Sequence, residues 1–488
     1  MVKQLSFCTP DKIAQDFQHA IIVGYAENLK PAVQKFSFSD KTFKLCQELR
    51  KTMAPAKSAE TRSFYETDNT AKLKKITLIM LPEPMSRNMA PANYSSLDEA
   101  LSDELVSEEK ISLLIAVKDP AHVMGFAAQL AKHFPAFTQK TAPEDKNTLI
   151  QCAFLSQKEL TQNDYQQIDA LVQSIQLCAK LVDTPTNMLN TKEFSAILEA
   201  QAKELSLQCK KIKGHELEKQ GFGGIYNVGK AAESEPVLCI LSYIPEQPTH
   251  TIALVGKGVT YDTGGLSLKP REHMVNMKSD MAGAAAVLGA LRTAALMKLP
   301  CTIHGIFCLA ENAIGPKSLR PDDIIKLYSG KTIEINNTDA EGRLLLADGV
   351  AYASKNLQPR LIVDIATLTG AQLICTGQVH AAILTANEKL EKLVMNIGKT
   401  TGELVYPILY APELLMKEFS SKVADYKNSC KNRLNAQSSC AGHFVEASLD
   451  KDYKGDWLHI DIAGPAWDND RSLAYGVALL YVLLVAYK

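Results

Sequence analysis

Near-continuous apolar runs recur along the later part of the sequence, and they constrain the fold more than any other feature. Strands that are buried on both faces of a parallel sheet have this composition. Helical patterns over residues 282–297 and 344–355 separate some of the runs. The sequence therefore predicts an α/β fold with a doubly wound, mostly parallel sheet. The predicted strands cover residues 237–243, 251–256, 302–309, 331–335, 361–365 and 457–462.

The first third of the chain alternates shorter apolar runs with helical patterns, which predicts a small N-terminal α/β domain without a catalytic motif. A helix predicted over residues 163–182 links it to the rest of the chain. The predicted boundaries are 1–160 for the N-terminal domain, 161–184 for the linker helix and 185–488 for a larger C-terminal domain. The other predictions here are strands at 20–25, 75–81, 111–117 and 149–154, helices at 41–53 and 121–133, a loop at 54–70 and a solvated turn or helix start at 102–110.

Composition and charge exclude several classes of protein. The 488 residues include 53 Lys and Arg against 54 Asp and Glu, so the formal net charge is −1. This balance argues against a basic nucleic-acid-binding protein and against an acidic disordered chain. The longest apolar run, residues 476–487, is shorter than the roughly 20 residues of a membrane span and predicts a buried helix. Eleven Cys without a CxxC pair, and no secretory pattern over residues 1–16, predict a cytoplasmic protein with reduced thiols.

Charged and small residues gather where the predicted strands end, which is where open parallel sheets bind ligands. Within this group, Asp339 and Glu341 stand two positions apart, so an extended backbone would direct both carboxylates the same way. Two convergent carboxylates repel each other unless a divalent metal or an Arg lies nearby. The alternative is a solvated strand-to-helix turn in which these carboxylates serve the first helical turn. The residues after the strands include Lys257, Asp262, Lys269, Asn312, Asp339, Glu341, Arg343, Thr367 and Ala463.

The same sequence features allow other interpretations. The Gly-rich segment 256–269 contains neither GxxxxGK[ST] nor GxGxxG, so a phosphate-binding loop is disfavoured. Lys257 could be a surface lysine, and Asp280 could be an ordinary helix N-cap. His304 and His459 fall within predicted strands and are interpreted as core residues. The sequence also lacks HExxH and GxSxG, and no Cys has a local nucleophile signature.

Four segments together resemble the leucyl aminopeptidase family, also called cytosol aminopeptidases. The octapeptide Asn-Thr-Asp-Ala-Glu-Gly-Arg-Leu at 337–344 is complete and highly specific, and segments 256–265, 277–281 and 364–371 match the family's other active-site segments. The resemblance runs from about Leu181 to the C-terminus. Two segments depart from the family pattern, 428–442 and 473–476, and the first is similar to the family's animal aminopeptidase-like branch. These departures leave the substrate preference open.

The resemblance implies a metal-dependent aminopeptidase that removes N-terminal residues, leucine or other apolar residues, through a hydroxide bound to two metals. Zinc is the family's usual metal, with manganese or magnesium exchangeable at one site. By motif, Asp262 and Glu341 would bridge the metals, Asp339 would complete one site, and Lys257 and Asp280 would complete the other.

The resemblance also implies roles for the remaining residues of the site. Lys269 would stabilise the oxyanion, and Arg343 would hold a bicarbonate ion that acts as general base. A homohexamer is a further trait of the family, and peptides with a free N-terminus are its substrates. The positions that match substrate-contacting residues are Met277, Asn337, Thr367, Leu368, Gly370 and Ala463.

Two other functions compete with this prediction. A catalytically weak paralogue could act as a binding or scaffold protein, including a DNA-binding one, but the complete ligand set argues against a dead enzyme. The net charge and the lack of a basic cluster argue against nucleic acid. A two-metal phosphoesterase remains possible only if the family resemblance is set aside.

Overall fold

The computed structural model describes residues 4–67, 72–83, 85–105, 110–134, 137–141 and 148–488, which form two compact units. The first unit comprises residues 1–173 and 398–402, and the second comprises 174–397 and 403–488. The division falls within two helices, Gln162–Asp183 and Glu388–Thr401. Among the described residues, no helix combines the length and the apolar composition needed to cross a membrane. The predicted domain boundaries at 160 and 185 remain a proposal.

The first unit is built on a mixed sheet whose described strands follow the order β1-β6-β5-β2-β4-β3. Neighbouring strands are parallel except β3, which pairs antiparallel with β4 at the edge. Residues 54–70 were predicted as loop, and this prediction is wrong for β3, whose half-exposed polar residues hide its strand character. The strands are β1 Gln4–Cys8, β2 His19–Gly24, β3 Glu60–Thr67, β4 Leu73–Met80, β5 Lys110–Ala116 and β6 Leu149–Leu155. The helices are α1 Leu29–Val33, α2 Asp40–Thr52, α3 Tyr94–Glu104, α4 Val123–Lys132 and α5 Gln162–Asp183, with 3₁₀ turns at Pro10–Lys12 and Pro120–His122.

Part of the acidic segment 102–110 belongs to α3, and residues 106–109 lie outside the described residues. Apart from β3, the strands and helices predicted for this unit are confirmed to within a few residues. Their buried faces form one apolar core that includes Ile22, Leu78 and Leu114.

The second unit contains the strands and helices that follow α5, except that residues 398–401 of the helix Glu388–Thr401 belong to the first unit. Its strands are β7 Gln208–Lys213, β8 Val237–Tyr243, β9 Thr251–Asp262, β10 Thr302–Asn312, β11 Ile324–Lys326, β12 Thr332–Glu334, β13 Leu361–Ala366, β14 Ala381–Leu384, β15 Val405–Pro407, β16 Tyr426–Lys427, β17 Asp456–Asp461, β18 Trp467–Asp468 and β19 Arg471–Ser472. Its helices are α6 Thr191–Glu204, α7 His215–Lys219, α8 Gly223–Gly229, α9 Arg271–Met274, α10 Ala282–Leu296, α11 Gly342–Tyr352, α12 Ala371–Thr376, α13 Glu388–Thr401, α14 Pro412–Leu415, α15 Gln437–Glu446 and α16 Val477–Ala486, with 3₁₀ turns at Met277–Ser279 and Met416–Phe419 and a π-helical turn at Ala353–Leu357.

The large sheet of this unit has the strand order β15-β14-β17-β13-β9-β10-β8-β7. Its four central strands, β17, β13, β9 and β10, are parallel, and antiparallel strands flank them. Gly256 of β9 faces Ala284 of α10, while the adjacent Val255 faces Gly349 of α11. Because neighbouring residues of a strand point to opposite faces, α10 and α11 cover the two faces of the sheet. The predicted α/β fold with a mostly parallel, doubly wound sheet is confirmed.

One predicted strand occupies a different place. The apolar run at 331–335 was expected in the large sheet, but β12 pairs with β11 and β16 in a separate three-stranded sheet. That expectation is wrong because β12 has only three residues and its outer positions are half-exposed. The loop at 336–341 follows β12 and still reaches the carboxyl edge of the large sheet, where Glu341 contacts Lys257 of β9.

Candidate active site

β9 carries Lys257 into the centre of the candidate site. Lys257 Nζ lies 2.6 Å from Asp280 Oδ1 and 3.0 Å from Glu341 Oε1. It also donates a hydrogen bond of 2.9 Å to the carbonyl of Thr367. The lysine side chain is 3% exposed, so its interpretation as a surface lysine is wrong.

A second lysine joins the other two carboxylates. Lys269 Nζ, in the loop after β9, lies 2.9 Å from Asp262 Oδ2 and 2.6 Å from Asp339 Oδ1. Asp262 is the last residue of β9, and its Oδ1 accepts hydrogen bonds from Gly264 N and Asn312 Nδ2. The loop therefore folds back so that a cation and two anions meet at the strand end.

The start of α10 brings Asp280 to the same place. Asp280 Oδ1 accepts a hydrogen bond of 2.7 Å from Thr367 Oγ1, which follows β13. A side chain at Gly283 would collide with the carbonyl of Ile365, so the glycine permits α10 to approach β13 closely. The N-cap of α10 is Met281 without a side-chain cap, so the alternative interpretation of Asp280 as an ordinary N-cap is wrong.

Glu341 enters the site from the junction between the small sheet and α11. A side chain at Gly342 would lie 2.5 Å from Lys257 Cε, so the glycine leaves room for the lysine. Glu341 is 2% exposed and makes no capping hydrogen bond to α11. The alternative of a solvated turn is therefore wrong for Glu341, whereas Asp339 is partly exposed.

This cluster contains more negative than positive charges. Four carboxylates against two ammonium groups leave a formal charge of −2. Burial raises the pKa of Glu341 and of Asp280, and the Asp262 carboxylate raises both further. Burial alone would lower the pKa of Lys257, but the surrounding carboxylates outweigh it and hold that pKa above its ordinary value.

The same cluster fits a divalent cation. Ligand oxygens of Asp262, Asp280 and Glu341 lie within 4.8 Å of one another. In the part of the chain that the structure describes, Asp280 Oδ2 and Glu341 Oε2 are buried without a hydrogen-bond partner. Unpaired buried carboxylate oxygens are costly, and oxygen-rich sites suit zinc, manganese or magnesium. The residues present can therefore hold metal.

Arg343 lies on the first turn of α11, two positions after Glu341. It is 3% exposed, and its Nη1 donates a hydrogen bond of 3.0 Å to the carbonyl of Asn428. Its guanidinium carbon lies 6.0 Å from the centre of the Phe419 ring. Within the described ranges, its Nε is buried and has no hydrogen-bond partner. Burial lowers the pKa of Arg343, while charges such as the Glu341 carboxylate raise it.

The residues predicted to contact substrate fall into separate groups. Thr367 is part of the ion cluster, as described above. Leu368 N and Ala463 N both donate to Asp461 Oδ1, at 3.0 and 3.2 Å. Asn337 accepts a hydrogen bond from Asp339 N. Met277 is half-buried in a 3₁₀ turn, and Gly370 is exposed at the start of α12.

Three supporting residues carry roles that the sequence did not reveal. Asn312 Nδ2 joins Asp262 to the Thr338 carbonyl, at 2.8 and 3.1 Å. Asp461 is fully buried and holds the loops that contain Leu368 and Ala463. Asn428 is also fully buried and bonds to the loop at 336–340. Asn312 was already among the residues that follow a predicted strand, and Asp461 could have been found because it ends an apolar run. Asn428 has no such signal.

The chain matches a protein-family model and several named proteins. The family model described as "Cytosol aminopeptidase family, catalytic domain" matches residues 176–481. The mouse protein named "Probable aminopeptidase NPEPL1" is 45% identical over 413 residues, which cover 83% of this chain and 79% of the relative. Leucine aminopeptidase 1 of Caenorhabditis elegans is 41% identical over 416 residues, covering 84% of both chains.

Solved structures extend the likeness to nearly the whole chain. The leucyl aminopeptidase of Trypanosoma brucei in complex with bestatin superposes with a TM-score of 0.91 at 34% identity, covering 99% of this chain and 96% of that one. The leucine aminopeptidase of Caenorhabditis elegans superposes with a TM-score of 0.88 at 36% identity, covering 100% and 99%. The likeness therefore includes both units of the chain.

Proposed function

The chain belongs to the cytosol aminopeptidase family of metal-dependent hydrolases, and from this membership we propose that it removes the N-terminal residue, leucine or another apolar residue, from peptides with the help of two divalent metal ions. The main support for this proposal is one observation. Side chains from β9, from the turn before α10 and from the 336–341 loop meet in one cluster, and buried carboxylate oxygens in it lack hydrogen-bond partners among the described residues. The metals would be held by Lys257, Asp262, Asp280, Asp339 and Glu341.

The bound ions would supply Lewis acidity and lower the pKa of a coordinated water toward neutrality. Lys269, between Asp262 and Asp339, has an ammonium group that can donate to the oxygen of the scissile carbonyl as negative charge develops on it. Burial alone would lower the pKa of Lys269, but the neighbouring carboxylates raise it, so the side chain stays charged for this role.

Arg343 supports the proton-transfer part of the proposal. Its buried Nε, unpaired within the described chain, offers a charged donor to a bicarbonate ion that would serve as general base. Zinc, with manganese or magnesium at one site, suits the mixed set of oxygen ligands and one amine. A homohexamer and a cytoplasmic location are further proposals that depend on the family resemblance.

The catalytically weak paralogue is the less favoured alternative. A protein that no longer catalysed the reaction would have no need for Lys257, Asp280 and Glu341 to stay buried together, because buried charges without a function destabilise a fold. The complete set of charged residues therefore favours an active enzyme.

Strict dependence on a free N-terminus is the first expected result. A free α-amino group can donate its lone pair to one of the proposed metals, and acetylation removes the basicity of that group. We expect a peptide such as Leu-Gly-Gly to lose its N-terminal residue, while N-acetyl-Leu-Gly-Gly stays intact. Chromatographic analysis of both peptides after incubation with the same enzyme checks this. Comparable cleavage of the acetylated peptide would contradict the proposed exopeptidase function.

A further inference from the structure

Asn428 bonds to the loop that carries two of the proposed metal ligands, although it stands far away in sequence. It directly follows β16, which pairs in parallel with β12. The pairing continues one step further, because Asn428 N donates to the carbonyl of Glu334 at 3.1 Å. This register places Asn428 beside residues 336–340, where it is fully buried.

The Asn428 side chain uses its whole hydrogen-bonding capacity on that loop. Its Oδ1 accepts from Asn336 N at 2.9 Å and from Asn337 N at 3.2 Å. Its Nδ2 donates to the carbonyl of Asn337 at 2.6 Å and to the carbonyl of Ala340 at 3.3 Å. A carboxamide offers two acceptor lone pairs and two N–H donors, so each of them has a partner here.

The backbone of the same residue holds Arg343. The Asn428 carbonyl accepts the hydrogen bond from Arg343 Nη1 at 3.0 Å. Asn428 is thus bonded on both sides of Glu341, to Ala340 before it and to Arg343 after it.

We propose that Asn428 is a positioning residue that fixes the backbone of residues 336–340 and thereby sets where Asp339 and Glu341 direct their carboxylates toward the metals. The inference depends on the proposed metal site. Residues that orient metal ligands typically contribute about 10–100-fold to metal affinity or activity. Asn428 acts through the loop and touches neither carboxylate in the hydrogen bonds described above.

Variants of Asn428 test the inference by metal affinity. We expect the dissociation constant for Zn²⁺, measured on the full-length chain by competition with a chromophoric chelator, to rise about 10–100-fold in Asn428→Ala. Asn428→Asp should show a similar loss, because a carboxylate cannot donate to the carbonyls of Asn337 and Ala340. Peptidase kcat should fall in both variants.

A matched control separates positioning from general stability. Asn387 is a partly buried Asn that accepts from Lys389 N and Leu390 N and donates to Asp456 Oδ1, and none of these hydrogen bonds involves a site residue described above. Asn387→Ala should lower the melting temperature without changing Zn²⁺ affinity. If Asn428→Ala fails to fold, Asn336→Ala replaces it, since Asn336 exchanges two hydrogen bonds with Ser429 at the same junction. We expect a smaller loss of affinity in that variant.

Wild-type Zn²⁺ affinity in both Asn428→Asp and Asn428→Ala would overturn the inference. If Asn428→Ala does not fold, wild-type affinity in both Asn428→Asp and Asn336→Ala would overturn it. Either outcome leaves the proposed function intact. An equal loss of affinity in Asn387→Ala would also overturn it, because the effect would then be one of stability. Failure of the wild-type chain to bind Zn²⁺ would contradict the proposed function itself, together with the inference that depends on it.

Discussion

Glu341→Gln is expected to abolish peptidase activity and to lower the metal content of the purified protein. Gln keeps the shape of the side chain but removes a negative charge that faces Lys257 Nζ at 3.0 Å and carries a buried oxygen without a described partner. A neutral amide binds a divalent cation much more weakly than a carboxylate, so affinity should fall by at least about 10–100-fold, the effect of residues that only support ligands. Asp339→Asn should act in the same direction.

Metal analysis and hydrolysis rates on the same preparations check this result. Glu446→Gln is the matched control, because Glu446 is a carboxylate of the same unit that bonds to Tyr410 and His443 and to none of the site residues described above. We expect it to retain metal and turnover. Full metal loading with near-normal turnover in Glu341→Gln or Asp339→Asn would rule out the site as described.

Arg343→Ala should lose turnover and keep its metals. Arg343 is not among the proposed metal ligands, and its Nη1 is held by the Asn428 carbonyl, so its removal takes away no proposed ligand. General-base catalysis typically contributes about 10²–10⁴-fold, and we expect a loss of kcat of that order with a smaller change in KM. Added bicarbonate should accelerate the wild type and have little effect on the variant.

A second variant and two further measurements distinguish a role of Arg343 in proton transfer from a structural role. Lys269→Ala should also lower kcat but retain its response to bicarbonate, because stabilising the oxyanion and removing a proton are separate steps. Bound metal and melting temperature, measured on the same samples, reveal whether Arg343→Ala merely loosens the start of α11. A stable, metal-replete Arg343→Ala enzyme with unchanged kcat would show that the assigned role is wrong.

The central strands of the large sheet could be predicted because burial on both faces leaves a long apolar signature, as in β9, β10, β13 and β17. Edge strands lack this signature. β7 exposes nearly all its residues and contains three Lys, and it was not predicted. β3, at the edge of the other sheet, was mistaken for loop for the same reason.

The charged residues of the site could be identified because each follows a strand or belongs to a family segment. Their supporting contacts could not be. Asn428 meets Asn337 from 91 positions away, and Asp461 meets Leu368 from 93 positions away. Such contacts depend on tertiary pairing, here of β12 with β16 and of β13 with β17, which no local pattern encodes.

The departure of segment 428–442 from the family pattern now has a structural meaning. Its first residue supports the loop at 336–340, and Ser438 Oγ donates to Asp461 Oδ2 at 3.3 Å. The divergent segment therefore contacts residues of the candidate site through Asn428 and Ser438.

The metal dependence of amino-acid anilide hydrolysis decides whether this chain is a two-metal aminopeptidase. The measurement combines the metal content of the purified chain with its rate of leucine anilide hydrolysis, before chelation, after chelation and after Zn²⁺ or Mn²⁺ is restored. We expect two divalent ions per chain, loss of hydrolysis when they are removed, and recovery when they return. Undiminished hydrolysis by the metal-free chain would show that the proposed two-metal function is wrong.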